Sequence, residues 1–463
     1  MNKCDGKIIE VTGSIVEVEW RDNPPNINHI LKACDDSEIS LAVISSASPT
    51  SVFCIALNLE KNIRRGTDIY NTGEPFSIPV GENVLGRVFT LFGNPLDKLP
   101  KIPKNITKPI IESVKTELND IIIPDEILET GIKTIDFFTP LLKGGKIGLV
   151  GGAGLGKTVL LSQLINRFVI QKNKENNNVA VFSAVGERSR EALDIYEDLR
   201  DAKVLSKTSL IIGQMGESPA VRWYTAYASV AIAEYFRESM KKDVFFFMDN
   251  IYRFVQAGNE LSTLTRAIPS EDGYQPTLPS EMASLSQRLA STKQGVITSV
   301  LALFVPSDDT NNAAVRSILH YLDTIIILSR DIFQQGLFPA INILASSSVA
   351  LNERIVGKKH YLAYTEAKQL LEKAANLERI VSLVGEQELS TDNQVSYQRS
   401  KRLRNYMTQD FHMDKSKNDN SLFIERQDTV KDVIDIVSGK YDHLAPDKFL
   451  FIGRAKEAES EKK

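Results

Sequence analysis

The chain has 463 residues, of which 42% are hydrophobic and 25% are charged. This balance excludes an intrinsically disordered chain, and no apolar run approaches the roughly 18 residues that a membrane-spanning helix needs. The 55 basic and 59 acidic side chains leave a net charge of −4. That charge argues against a protein whose main task is to wrap nucleic acid, because phosphate binding needs a basic face.

The cysteines and histidines are too few and too scattered to suggest a metal site. Cys4, Cys34 and Cys54 include no CxxC pair, so the sequence predicts neither a disulfide framework nor a zinc site. Any metal should therefore be a hard cation that arrives with a substrate. The chain starts without the apolar segment of a secretory signal, and we expect a cytoplasmic multidomain protein.

Three regions follow one another along the chain, and together they predict a multidomain α/β fold. Residues 1–77 read as short strands, among them the alternating Val16–Trp20, with a turn at Asn71–Gly73, and they suggest a small N-terminal β-barrel. Residues 78–356 alternate short apolar strands with longer helices, as in a mostly parallel sheet covered by helices. Residues 357–463 follow helical spacing and predict a C-terminal helical domain. The strand candidates of the central region are Lys146–Val150, Val179–Ala184, Ser209–Gly213, Val244–Asp249 and Val296–Val305.

A phosphate-binding loop lies in the central region. Residues 151–158, GGAGLGKT, satisfy GxxxxGK[ST], follow a predicted strand and precede a helical apolar stripe. Glycines let backbone N–H groups approach phosphate oxygens, and the helix N-terminus adds positive potential. Lys157 would neutralise the β- and γ-phosphates, and the Thr158 hydroxyl would ligate Mg²⁺. The predicted nucleotide-binding residues of this segment are Gly151, Gly152, Ala153, Gly154, Leu155, Gly156, Lys157, Thr158 and Val159.

An aspartate ends another strand of the same predicted sheet. Asp249 closes the apolar strand Val244–Asp249, and ligands of open α/β sheets bind at the carboxyl ends of their strands. We therefore expect Asp249 to hold Mg²⁺ through water. The alternative is that Asp249 merely caps the helix that follows.

A second acidic group follows the strand Val179–Ala184. Glu187 could polarise a water for attack on the γ-phosphate, a role worth about 10²–10⁴ in rate. Arg188 would contact phosphate, and Glu191, one helical turn further on, would share the water shell of the metal. Without the phosphate loop, residues 186–191 would instead read as a surface salt-bridge cluster that opens a helix.

Several blocks of the sequence resemble one protein family. They are Ile127–Lys133, Gly151–Leu160, Gly186–Arg188, Asp249–Phe254, Gly273–Leu278 and Tyr441–Leu444. From about Gly6 to Gly453 the chain resembles the catalytic beta subunit of F-type ATP synthases. The resemblance implies a β-barrel crown, a RecA-like P-loop nucleotide domain and a C-terminal helical domain. It also implies an alternating hexamer with a non-catalytic alpha-type subunit around a central gamma-like shaft, Mg²⁺ and ATP or ADP as ligands, and no nucleic acid. Such a ring lies at the inner face of the cell membrane, which it contacts only through other subunits.

The resemblance also implies roles for single residues. Glu187 marks a catalytic member, because the alpha-type subunit carries Gln at this position. Arg253 matches the phosphate-side arginine of the family, and an arginine finger would come in trans from the alpha-type partner. Phe338 and Phe411 match the aromatic walls of the adenine slot, and Phe304 replaces a family tyrosine near the phosphates. The predicted catalytic residues are Glu187, Lys157, Arg188 and Arg253, and the predicted Mg²⁺ ligands are Thr158, Asp249 and Glu191.

Other segments depart from the family pattern. Glu271 and Asp272 place carboxylates where the family has an apolar sleeve around the shaft, and Thr310–Ala314 replaces an Asp-Pro-rich stretch. The chemistry-bearing blocks are kept, while shaft-facing and partner-facing blocks have changed. Either the chain is a fast-evolving synthase subunit, or it belongs to a hydrolysis-only paralogue that powers a surface or gliding machine, of the kind found in mollicutes.

Three other protein classes compete with this interpretation. A non-hydrolysing ring subunit would need an inert residue at position 187. A RecA-like hexameric helicase would need a basic, aromatic-rich channel, which the net charge and the carboxylates at 271 and 272 disfavour. A type III export ATPase shares the phosphate loop and Gly186–Arg188, but Tyr441–Leu444 fits the beta subunit better.

Overall fold

A computed structural model describes residues 4–36, 38–57, 63–112, 118–152, 154–170, 178–265, 267–305, 312–410 and 423–459. The chain divides into two compact units. The first comprises Met1–Ile122, Val169–Phe304 and Asp309–Tyr321, and the second comprises Ile123–Phe168, Val305–Asp308 and Leu322–Lys463. Ala153, Phe411 and residues 310–311, for which the sequence made predictions, lie outside the described residues. The domain boundaries given above stay predictions.

The described strands and helices are as follows in chain order. The strands are β1 (Gly6–Thr12), β2 (Ile15–Trp20), β3 (His29–Ala33), β4 (Ser40–Ser46), β5 (Ser51–Ala56), β6 (Asp68–Pro75), β7 (Ser77–Pro79), β8 (Val88–Phe89), β9 (Thr107–Pro109), β10 (Ile127–Leu128), β11 (Leu141–Leu142), β12 (Lys146–Gly151), β13 (Asn178–Glu187), β14 (Thr208–Gln214), β15 (Asp243–Asp249), β16 (Ile297–Phe304), β17 (Thr324–Ile327) and β18 (Ser347–Ser348). The helices are α1 (Lys133–Phe138), α2 (Lys157–Ile170), α3 (Ser189–Asp201), α4 (Pro219–Glu238), α5 (Ile251–Leu264), α6 (Leu278–Arg288), α7 (Ala313–Leu319), α8 (Arg330–Gln334), α9 (Glu353–Val356), α10 (Lys358–Val384), α11 (Thr391–Tyr406) and α12 (Arg426–Val437).

The N-terminal strands of the first unit close into a barrel in the order β1-β2-β5-β4-β3-β6. Alternate residues of β2, such as Val16 and Val18, point into its core together with Leu31, Leu41 and Ile69. The predicted barrel is therefore confirmed. The predicted turn at Asn71–Gly73 is wrong, because these residues lie inside β6. The Asn71 side chain accepts a hydrogen bond from the Gly73 N–H at 2.9 Å, and the local signal marks a bulge where the pairing with β3 is irregular.

A disulfide joins Cys4 to Cys34, so the prediction that the cysteines form no disulfide is also wrong. Strands β1 and β3 both pair with β6, and Gly6 and Ala33 lie opposite the same residue, Ile69. Closure of the barrel therefore brings together two cysteines that are 30 positions apart in the sequence.

A parallel sheet forms the rest of the first unit's framework. Strands β16, β15, β13, β14 and β8 lie side by side in this order, and each neighbouring pair is parallel. All of β13 after Asn178 is buried, which is why the sequence shows continuous apolar runs there and no alternation. The predicted parallel sheet is confirmed, and the carboxyl ends of its strands lie at one edge of the sheet.

The second unit combines a smaller group of strands with the C-terminal helices. Strand β17 pairs in parallel with β12 and antiparallel with β18. Helices α1, α10, α11 and α12 enclose a core to which Phe137, Leu371, Leu403 and Val433 contribute. The predicted C-terminal helical region is confirmed. Within the described residues, we find no helix that is both long enough and apolar enough to cross a membrane.

Candidate active site

The phosphate loop connects β12 to α2. Gly154 and Gly156 have φ values of +77° and +83°, and a Cβ at either position would meet nothing within 4 Å. The left-handed backbone, and not a lack of space, therefore requires glycine at both positions. The Lys157 ammonium donates a hydrogen bond to the Gly151 carbonyl at 2.7 Å, so the predicted phosphate-binding cation lies over the loop.

Helix α2 holds the loop through a buried apolar stripe and a polar contact near its far end. The stripe is that predicted from the sequence, and Leu164 and Phe168 are fully buried. Arg167 donates a hydrogen bond to the Thr130 carbonyl. Thr158 is half-buried on the first turn, and the neighbouring Val159 is exposed. The N-terminus of α2 therefore offers backbone N–H groups and the Thr158 hydroxyl to an anion and its metal.

Glu187 ends β13 and is only 8% exposed. On the adjacent strand β15, Asp249 pairs in register with Ala184, so both acidic groups belong to the same edge of the sheet. The pKa of Glu187 is raised well above its ordinary range by burial, by a hydrogen bond with Glu191 and by the charge of Asp249. The charge of Arg253 lowers this pKa, but it offsets only part of the rise. A buried carboxyl with a raised pKa is typical of a group that handles protons, and a bound cation would lower that pKa again.

Asp249 does not owe its place to helix capping. The cap of α5 is Asn250, whose side-chain oxygen accepts a hydrogen bond from the Tyr252 N–H at 2.9 Å. Asn250 is buried, whereas Asp249 is half-buried at the end of its strand. The alternative interpretation of Asp249 as the cap is therefore wrong, and no sequence feature distinguishes the two neighbours as caps.

Arg253 packs against the backbone just before Glu187. A Cβ on Gly186 would lie 3.2 Å from the Arg253 Cβ, and Gly186 has a φ of +67°. Glycine therefore permits both the left-handed turn into Glu187 and the close approach of α5. This packing places the guanidinium-bearing residue near the Glu187 carboxyl, on whose pKa it acts.

Arg188 and Glu191 lie on the surface beside the buried Glu187. The Arg188 side chain is 71% exposed, and its Nη1 lies 3.9 Å from Glu191 Oε1. Such an exposed pair contributes little to stability. The alternative interpretation of residues 186–191 as a surface salt-bridge cluster thus holds for Arg188 and Glu191, but it does not hold for the buried Glu187. The predicted contact of Arg188 with phosphate stays a prediction.

The predicted adenine wall Phe338 is half-buried in the second unit. The Phe333 ring meets it edge-on, with 5.3 Å between ring centroids. The Phe338 carbonyl accepts a hydrogen bond from the backbone N–H of Gln409 at 2.7 Å. Phe304, at the end of β16 in the first unit, is half-buried. Phe338 is therefore held by a ring contact with Phe333 and by a backbone hydrogen bond with Gln409.

The described residues contain no group of three His, Cys, Asp or Glu side chains that could hold a metal ion by themselves. Thr158, Asp249 and Glu191 offer one hydroxyl and two carboxylates, which are the hard oxygen donors that Mg²⁺ prefers. Each of these oxygen donors suits Mg²⁺ by its chemistry, and their joint role as its ligands stays a prediction.

A row of hydrogen-bonded polar side chains that begins on α5 was not predicted from the sequence. The Tyr252 and Tyr274 hydroxyls lie 3.1 Å apart, and the Tyr274 hydroxyl donates to Asn312 Oδ1 at 3.0 Å. Asn312 also caps α7 by accepting from the Ala314 N–H. Within the changed segment Thr310–Ala314, Asn312 thus caps a helix. The residue type at position 312 was the one feature of the sequence that could have predicted this cap.

Comparison with protein families places these features in a known class. Residues 131–348 match the nucleotide-binding domain of the ATP synthase alpha/beta family, a range that includes Lys157, Glu187, Asp249 and Arg253. Residues 350–422 match the C-terminal domain of V and A type ATP synthase. These matches support a nucleotide-binding subunit of the ATP synthase/ATPase kind, and the matched family implies a hexameric ATPase with other subunits. In particular, the chain carries an ATP synthase alpha/beta nucleotide-binding domain followed by a V and A type C-terminal domain. The predicted resemblance is confirmed at this level, and the assignment to the F type stays a prediction.

Proposed function

We propose that this chain is the catalytic, Mg·ATP-hydrolysing subunit of a rotary ATPase ring. The observation that carries the proposal is Glu187, a buried carboxyl with a raised pKa that ends a strand next to the strand of Asp249. A non-hydrolysing subunit has no need of an ionisable group at this position. The same family match contains the phosphate loop, which supports the idea that both sets of residues serve one nucleotide.

Each side chain has a task that suits its chemistry. Lys157 would neutralise the β- and γ-phosphates, and the α2 N-terminus would bind them through backbone N–H groups. Glu187 would orient the attacking water and take up its proton. Arg253 would meet the charge that develops on the γ-phosphoryl group.

The metal ligands and the outer contacts complete the proposal. Thr158 and Asp249 would hold Mg²⁺, in part through water, and Glu191 would contact the same water shell; the bound ion would neutralise phosphate charge. Arg188 would contact phosphate from the surface. Phe338 and Phe411 would enclose the adenine ring.

The ring itself is proposed to alternate this chain with an alpha-type subunit around a gamma-like shaft. Release of phosphate removes charge from the site, and the resulting movement of the helical domain would push the shaft. The complex would lie at the inner face of the cell membrane through other subunits.

A dedicated hydrolytic motor is the second candidate. Glu271 and Asp272, which stand in place of the family's apolar sleeve, are both exposed, so the changed charges are free to meet a different shaft. A test of ATP synthesis in energised vesicles that carry the assembled complex separates a synthase from such a motor.

The variant Glu187→Gln tests the catalytic assignment. In the ring assembled with its partner subunit, we expect Mg·ATP affinity to stay within about threefold, because the amide keeps the shape of the side chain. Turnover should fall by at least about 10², because the amide cannot accept the proton of the attacking water. Equilibrium binding and steady-state hydrolysis measure the two quantities separately.

The matched control is Glu197→Gln, which makes the same change at an exposed glutamate of α3, the helix that follows Glu187 in the chain. It should leave both quantities as in the wild type. Hydrolysis by Glu187→Gln at a rate close to that of the control would overturn the assignment.

A further inference from the structure

Arg222 lies near the start of α4, and its side chain is only 11% exposed. Its Nε donates a hydrogen bond to the Glu217 carbonyl at 3.2 Å, and its Nη2 pairs with the Glu260 carboxylate of α5. A Cβ on Gly186 would lie 3.5 Å from the Arg222 Cδ, so the stem of the arginine lies beside the residue that precedes Glu187. One side chain therefore joins the turn before α4, helix α5 and the end of β13.

The turn between β14 and α4 supports the backbone of Glu187. The Met215 N–H donates a hydrogen bond to the Glu187 carbonyl at 3.0 Å. Glu217 closes the turn twice, because its N–H donates to the Gln214 carbonyl at 3.1 Å and its carboxylate accepts from the Gln214 N–H at 2.8 Å. The backbone of Glu187 is therefore bonded to a turn that Arg222 holds through the Glu217 carbonyl.

Glu187 depends on this support because the regular pairing of β13 is interrupted just before it. The register between β13 and β14 shifts between Val185 and Glu187, and Gly186 has a φ of +67°. The stems of Arg222 from α4 and of Arg253 from α5 both approach this glycine. Loss of the Arg222 contacts would therefore allow the end of the strand to shift, and the Glu187 carboxyl would shift with it.

We infer that Arg222 is a positioning residue for Glu187: through the turn before α4 it holds the strand end that carries the carboxyl. The inference rests on the proposed role of Glu187 in hydrolysis. Displacement of a reacting group by about 1 Å can lower a rate by about 10²-fold. Turnover should therefore depend on Arg222, whereas affinity for Mg·ATP should not, because the phosphate loop belongs to the other compact unit.

The test uses Arg222→Met in the ring assembled with its partner subunit. Methionine keeps an unbranched stem beside Gly186 and removes the guanidinium with both of its polar contacts. We expect the single-turnover rate of hydrolysis to fall about 10- to 100-fold. The dissociation constant of Mg·ATP, measured by equilibrium binding, should stay within about threefold of the wild-type value. Unchanged turnover, or an equal loss of binding and turnover, overturns the inference.

A double-mutant cycle links the effect to Glu187. In a Glu187→Gln background the carboxyl that Arg222 positions is gone, so Arg222→Met should lower the remaining rate by less than about twofold. Full additivity of the two changes would mean that Arg222 acts on another group, and it overturns the inference. Near-normal turnover in Glu187→Gln alone contradicts the proposed function itself. Loss of turnover in Glu187→Gln without any loss in Arg222→Met contradicts only the positioning role.

Two control variants separate the turn from the ion pair and from general loosening of α4. Glu260→Gln removes the charge partner, which is 46% exposed, and keeps the Arg222 bond to Glu217; its turnover should stay within about twofold of the wild type. Ser218→Ala removes the side-chain cap of α4, which accepts from the Val221 N–H. This variant should lower the melting temperature and keep its turnover. A loss of turnover in either control as large as that in Arg222→Met overturns the inference.

A further variant tests the same turn if Arg222→Met does not fold. Glu217→Ala removes the carboxylate that accepts from the Gln214 N–H and leaves the carbonyl that Arg222 binds. It should show the same pattern, with slower turnover and unchanged affinity for Mg·ATP. Wild-type turnover in Glu217→Ala would mean that the turn does not position Glu187, and it contradicts the inference.

Discussion

Asp249 and Asn250 are neighbours with different tasks, and the structure separates them. Asn250 is buried and caps α5 through its side-chain oxygen. Asp249 lies at the strand end, where its charge acts on the Glu187 carboxyl. One residue therefore stabilises a helix, and the other is available to the chemistry of the site.

Asp249→Asn should weaken the Mg²⁺-dependent part of ATP binding by about 10- to 100-fold, as for other residues that hold a metal through water. The free energy of unfolding should stay the same or rise, because the variant removes a charge that disfavours ionisation of Glu187. Calorimetric titration with ATP in Mg²⁺ and in a chelator, together with urea unfolding, measures both effects.

Asn250→Ala supplies the opposite pattern and serves as the control. Loss of the cap should lower the free energy of unfolding by about 1 kcal/mol, while the gain in ATP affinity on addition of Mg²⁺ is retained. If Asp249→Asn lowered the free energy of unfolding and left the Mg²⁺ dependence of ATP binding unchanged, the assignment of metal binding to Asp249 would be contradicted.

At the scale of single residues, the sequence predicted what depends on local backbone chemistry. Gly154 and Gly156 follow from the phosphate-loop motif, because the left-handed turn is a property of the loop itself. The contacts of Arg222 could not be predicted, because the carboxylate with which it pairs lies 38 positions away on another helix. The cap of α5 was missed because Asp and Asn are both good caps, and only the geometry decides between them.

At the scale of elements, His360 joins three helices of the second unit. It lies on α10, and its Nε2 is 2.9 Å from the Phe137 carbonyl of α1. Its Nδ1 is 3.2 Å from Nη1 of Arg426 on α12. A carbonyl can only accept and a guanidinium can only donate, so Nε2 carries the hydrogen and the ring is neutral. Burial is the main reason that the pKa of His360 falls to about 4, and the Arg426 charge adds to it.

The depressed pKa of His360 predicts a pH dependence of stability. Between pH 6.5 and 4 the unfolded histidine binds a proton and the folded one does not, so the free energy of unfolding should decrease as the pH falls through this window. The full contribution is at most about 3 kcal/mol, and it is present above pH 6.5. Urea unfolding at a series of pH values measures the slope.

His360→Gln isolates this contribution from the carboxylates that titrate in the same window. Glutamine is neutral at every pH and can donate to the Phe137 carbonyl and accept from Arg426. The variant should therefore show a shallower pH dependence between pH 4 and 6.5 than the wild type. Two parallel curves would mean that His360 does not bind its proton differently in the folded state.

The elements that the sequence predicted well are those with a clear hydrophobic period. The structure confirms the strand predicted from the apolar run of β13 and the helix predicted from the spacing of α10. A strand that is buried on both faces is apolar throughout, and a helix that is buried along one stripe has apolar residues at helical spacing. The sequence Asn71–Gly73 led to the wrong prediction of a turn, because the same side-chain hydrogen bond occurs in a turn and in a bulge. The pairing of Cys4 with Cys34 required knowledge of barrel closure, which no local pattern contains.

At the scale of the whole molecule, the chain offers its own groups for most of the proposed reaction. In the proposed function, Lys157 would supply a cation for the phosphates, Glu187 a carboxyl for the water and Arg253 a second cation. The resemblance to the beta subunit implies, however, that an arginine from the neighbouring subunit meets the charge of the transition state. The hexameric assembly that the family match indicates would therefore be part of the catalytic machinery.

The isolated chain should accordingly bind Mg·ATP and turn it over slowly, while addition of the alpha-type partner should raise kcat by about 10³- to 10⁵-fold. Single-turnover hydrolysis with and without the partner measures the ratio, and size-exclusion chromatography shows whether the ring has formed. A partner variant in which the arginine is replaced by alanine should assemble and yet fail to accelerate hydrolysis. Full activity in that variant ring, or in the chain alone, would mean that every catalytic group belongs to this chain, and the role given to Arg253 would have to include the transition-state contact.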